Sequence, residues 1–203
     1  MGTNAGSTTQ GVAAVAVGYN AGLNSQGTSA IALGFNAGQE NQSSYAVAIG
    51  ETTGKINQGI LAVAIGAGSG NSNQGFTSLA IGNNAGYSSQ GTSAIALGFN
   101  AGQTSQLDQS VAIGTNAGKV NQKEYSVAVG NNAGNISQNT NSVAIGNGAG
   151  YNTQGIGSTS SGGGSVAIGA NAGNQLQAIG AVAIGASAGQ NDQKEYAVAI
   201  GYG

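Results

Sequence analysis

The apolar residues of this chain alternate over a short window, and that window returns at a fixed interval. Ala14-Val15-Ala16-Val17-Gly18 reappears as Ala30-Ile31-Ala32-Leu33-Gly34, Ala46-Val47-Ala48-Ile49-Gly50 and Ala62-Val63-Ala64-Ile65-Gly66, sixteen residues on each time. Alternation with period two predicts a β-strand. No stretch carries the 3.6-residue period of an amphipathic helix, and each recurring glycine would cost a helix ~1 kcal/mol against alanine.

Numbering each repeat from the glycine that closes the strand phrase gives a frame. Position one is Gly2, Gly18, Gly34 and so on to Gly201, always sixteen apart except for the twenty-three residues from Gly146 to Gly169. The frame holds twelve coils, one with a seven-residue insertion. Repeats this strict predict an all-β parallel β-solenoid, one domain over residues 1–203. With strands about 4.8 Å apart, the rod is roughly 58 Å long. The insertion near 156–164 has the composition of a flexible Gly/Ser loop and falls at the looser corner of its coil.

Three further positions do not vary: glycine at five, glutamine at nine and alanine at fifteen. The glycines, among them Gly18, Gly22, Gly34 and Gly38, fit corners that need positive φ or close approach of the next coil. Asn20 and Asn36, at position three, suit the left-handed region. Positions six to nine predict a shorter, more polar second strand ending on Gln26, Gln42 and their equivalents. Identical amides at every coil favour a hydrogen-bonded structural ladder over a ligand-binding column.

The strand phrase also predicts two faces. Valine, isoleucine and leucine at positions fourteen and sixteen are expected to fill the space between the strand layers. That places an Ala/Ser stripe outside, including Ala30, Ala32, Ala46, Ala48, Ala94, Ala96, Ala112 and Ala128. A tall uncharged stripe of small residues is a poor solvent face. It predicts a surface for close packing against sister protomers, hence a homo-oligomer. The frame runs from Gly2 to Gly201 without a capping coil, which predicts part of a longer chain or a subunit that stacks end to end.

Composition narrows the function classes. Glycine is 39 of 203 residues and charged residues are 5%, yet periodic aliphatic pairs argue against disorder. Four lysines and a net charge of −2 provide no nucleic-acid footprint. Without cysteine there is no disulfide framework and no thiolate metal site. No apolar run is long enough to span a bilayer, and the first residues do not resemble a signal peptide.

Candidate chemistry is sparse. With neither histidine nor cysteine, acid–base or nucleophilic work would fall to six carboxylates and four lysines. Asp108 and Glu124 share position eleven of successive coils, a spacing that could pair two carboxylates for a cation or a glycoside; Lys123 alongside favours a solvated corner. Gly50–Lys55 and Gly114–Lys119 look like phosphate loops but are one residue short and belong to the general repeat. Asn41-Gln42-Ser43 and Asn135-Ile136-Ser137 fit the glycosylation pattern. The expectation is a protein that is not an enzyme, with no catalytic residue, cofactor or metal.

SVAIG at Ser110–Gly114, Ser142–Gly146 and Ser165–Gly169, with AVAIG at Ala46–Gly50 and Ala197–Gly201, resembles the head repeats of trimeric autotransporter adhesins. Similar repeats occur in viral and phage fibres. The resemblance to this YadA-like family implies a left-handed parallel β-roll, packed as three rolls about one axis. It further implies an extracellular, cell-surface or virion fibre whose partners are itself and a host surface or glycan. The alternative is an ice-binding solenoid that uses the Ala/Ser stripe.

Overall fold

A computed structural model of the chain describes residues 2–156 and 164–203. The Gly/Ser insertion therefore lies, over 157–163, outside the described residues. Each coil but the last contributes one short strand to each of two parallel sheets; the last adds only Val198–Ile200. The eleven-stranded sheet runs from Thr8–Gln10 to Gln175–Ala178, and the twelve-stranded sheet from Val15–Val17 to Val198–Ile200. Neighbouring strands are successive coils in strict register: Val15, Ala16 and Val17 lie opposite Ile31, Ala32 and Leu33. Across the insertion the twelve-stranded sheet keeps its register, Val143, Ala144 and Ile145 meeting Val166, Ala167 and Ile168, whereas in the other sheet the register shifts between Gln154 and Ile156.

The corners follow from backbone chemistry. Gly34 has φ of 134°, and a Cβ there would overlap the backbone carbonyl of Gly50 in the next coil. Gly38 has φ of 52°, and its Cβ would stand 2.6 Å from the Gln42 Oε1. Asn20 and Asn36 occupy the left-handed region at φ of 52° and 53°. The second strand is shorter than positions six to nine and is kinked. Position eight is also left-handed, as at Ser25 (φ 57°) and Asn41 (φ 53°), so only positions seven and nine pair across coils.

The face assignment expected for the strand phrase is inverted. Ala30, Ala32, Ala46, Ala48, Ala94, Ala96, Ala112 and Ala128 all have zero exposure and line the interior. Valine, isoleucine and leucine at fourteen and sixteen point outward, half-buried to exposed. The reason is the thinness of the coil. Its core consists of two runs of alanines, Ala16 to Ala48 and Ala80 to Ala188, in which position fifteen packs against position four, as Ala96 does against Ala101; between the runs position four carries the buried Thr53 and Ser69. A Cβ on Gly38 would already lie 3.2 Å from the Ala32 methyl. Two layers this close admit a methyl group at position fifteen and little more opposite it, Thr53 and Ser69 being the larger residues taken at position four.

Among the described residues, the largest fully buried side chains are the position-nine glutamines. Gln42 is 1% exposed; its Nε2 donates to the carbonyls of Ile31 and Ala46 at 2.8 and 3.3 Å, and to the Gln58 Oε1 at 3.1 Å. Gln26 does the same, donating to Val15, Ala30 and Gln42. Amides of this column join the two sheets of the rod, and most of them also link their coil to the next; the Gln74 and Gln106 Nε2 atoms donate only to backbone carbonyls, which leaves the Gln90 and Gln122 Oε1 atoms without a partner.

Candidate functional site

Because the alanines turn inward, the outer surface of the twelve-stranded sheet carries two parallel aliphatic columns. Position fourteen supplies Val63, Leu79, Ile95, Val111 and Val127, and position sixteen supplies Ile65, Ile81, Leu97, Ile113 and Val129. Leu97 and Ile145 are each 39% exposed. Position two borders these columns, where Tyr19 and Phe35 stack with ring centroids 5.3 Å apart and planes 11° from parallel. Phe99 is exposed on the same column.

The opposite sheet is mostly polar outside, with Ile136 and Leu176 as exposed apolar exceptions. Its outward residues include Asn41, Asn57 and Asn73, whose side-chain amides donate one to the next at 3.0 Å. The two sheets therefore differ in polarity outside, while the corner between them exposes Ile60, Leu61 and Phe76. A flat strip of β-branched and leucine side chains along one face is the kind of exposed patch that marks an interaction surface. Its length of roughly 58 Å and width of about four strand residues give an area of roughly 750 Å², close to the ~800 Å² each partner contributes to a stable interface.

The other candidates are placed differently. Asp108 accepts from the Thr92 amide at 2.8 Å, in the preceding coil, whereas Glu124 accepts from the Thr140 hydroxyl at 3.4 Å, in the following one. The two carboxylates are turned to separate neighbours and do not form a pair. Asn135 is 6% exposed and its Nδ2 donates to the Asn116 carbonyl at 2.9 Å, so it is no accessible glycosylation site in the folded coil. Asn41 is exposed and belongs to the asparagine ladder. The ice-binding reading loses the surface that motivated it, since the Ala/Ser stripe is inside.

The family model described as the YadA head domain repeat matches residues 154–172, in two copies. That part of the chain is similar to YadA head repeats. The window contains Gln154, a member of the buried glutamine column, and the strand phrase Ser165–Gly169. In-register pairing of Val143–Ile145 with Val166–Ile168 shows that the YadA-like window shares its strand geometry with the coil before it. No curated protein and no solved structure matches the chain.

The sequence alone missed the aliphatic face, although a signal was present. Alanine is invariant at fifteen while fourteen and sixteen accept valine, isoleucine or leucine. An interior with room for one methyl tolerates one residue, whereas an outward column tolerates several.

Proposed function

We propose that the chain is a structural segment of a surface fibre, in which copies of the rod pack through the aliphatic columns into a homotrimer. The observation that carries this reading is the continuous strip of valine, isoleucine and leucine on the twelve-stranded sheet, set against a mostly polar opposite face. Water leaves such a strip when a second copy covers it, and identical columns at matching spacing are complementary by construction. Similarity to YadA head repeats over 154–172 supports trimeric assembly, a left-handed roll and a cell-surface setting. In this reading the protomers bury the aliphatic columns toward each other, and the asparagine-rich sheet faces outward toward a host surface or glycan. The chain's role is mechanical, a stiff spacer that presents its corners for attachment. Electron microscopy of the purified chain tests this: uniform rods thick enough for three protomers are expected, and single thin rods would contradict it.

A further inference from the structure

The two aliphatic columns nearly repeat from coil to coil, and this raises the question of axial alignment. Sliding one copy past another by one coil returns valine, isoleucine and leucine to almost equivalent contacts, losing only the coil at each end. Such a surface holds partners together without fixing their register, as flat repetitive strands do in general. Register has to come from residues that break the repeat.

Position two does so. Along this border of the strip the chain places Tyr19, Phe35, Glu51, Ala67, Asn83 and then Phe99. Phe35 and Phe99 are 48% and 50% exposed, and Tyr19 and Phe35 form one stacked unit. Glu51 is exposed and is the one charged residue at positions two, fourteen or sixteen. Aromatic rings stand further from the sheet than alanine or asparagine and need matched space on the partner. A carboxylate brought against an apolar column loses hydration without compensation.

We infer that Tyr19, Phe35, Glu51 and Phe99 are the register key of the assembly: they select the one axial alignment of a second copy of this chain in which rings and carboxylate are accommodated. This rests on the reading of the aliphatic strip as a self-association surface. The strip's area of roughly 750 Å² supports a second copy as the occupant, as does the absence of any other charge on it.

The chain has no cysteine, so single cysteines give unique labels. Thr104→Cys and Asn24→Cys sit on the exposed polar sheet, five coils apart. Chains carrying a nitroxide at one site are mixed with chains carrying a spectrally distinct Gd(III) label at the other, and the distance between unlike labels alone is read by pulsed electron paramagnetic resonance. A one-coil slip changes the axial component by ~4.8 Å. The wild-type rod is expected to give one narrow distance. Replacing Tyr19, Phe35, Glu51 and Phe99 together with asparagine, which the same column carries at Asn83, Asn131 and Asn147, is expected to retain association and split that distance into several. Glu51→Asn alone, a single exposed change, is expected to produce a smaller slipped fraction. One narrow distance in both variants, or several in the wild type, overturns the register key while leaving self-association standing. No distance between copies in the wild type overturns the self-association reading itself.

Discussion

The side-chain amide of Gln42 donates to the Ile31 carbonyl at 2.8 Å, from one sheet of the rod to the other. The same nitrogen reaches Gln58 in the next coil, at 3.1 Å. One buried polar side chain per coil thus supplies the cross-link that a core of methyl groups cannot, and low local dielectric makes its bonds costly to lose.

Gln42→Ala removes those bonds, opens a cavity and leaves the Gln58 Oε1 without its donor. The expected loss is about 2–4 kcal/mol of stability, read from the midpoint of denaturant unfolding. Thr104→Ala, on the exposed strand surface, is expected to stay within about 0.5 kcal/mol. Equal effects from the two would contradict a structural glutamine column.

The inversion of faces makes a paired prediction within one strand. Ala112→Val forces two methyl groups into a zero-exposure site and is expected to destabilise the rod by about 1–3 kcal/mol. Val111→Ala, one residue earlier and pointing outward, is expected to leave the fold of a single rod nearly unchanged. Thermal unfolding monitored by circular dichroism distinguishes them, and the reverse order of sensitivity would restore the alanine-outside arrangement.

Gly38→Ala combines two penalties. Its φ of 52° disfavours any side chain, and the new methyl would meet the Gln42 Oε1 at 2.6 Å. A cost of about 2 kcal/mol or more is expected from unfolding midpoints. A neutral result would mean that the corner does not depend on glycine.

Much of this architecture could be read from the sequence because a sixteen-residue period constrains every coil alike. The strand phrase, the Gly34 and Gly38 corners and the left-handed asparagines Asn20 and Asn36 each have a residue type that reports a backbone need. The left-handed position eight was not legible, because Ser25 and Ser89 share it with Asn41 and serine carries little conformational signal. Position twelve was hidden more deeply: Tyr45 and Leu61 hold φ of 61° and 60° there, fixed by stacking bonds such as the Tyr45 amide to the Thr28 carbonyl at 2.9 Å. Which face turns inward was misread because period two distinguishes the sides of a strand without saying which is the core. Coil thickness decides that, and it depends on the Ala96 and Ala101 methyls meeting across the interior.

Charge on the strip is the direct perturbation of the proposed assembly. Ile113→Asp with Val127→Asp places two carboxylates in adjacent coils of the outward columns, where covering them would cost several kcal/mol each. The double variant is expected to keep the β-sheet circular dichroism spectrum and to lose self-association. Retained association would mean that another surface joins the copies.

Sedimentation equilibrium of the purified wild-type chain tests the central claim most directly. A mass close to three times the 19.4 kDa chain, stable on dilution through the micromolar range, is the predicted result. A mass of 19.4 kDa at every concentration, with the valine, isoleucine and leucine columns left in water, would contradict it.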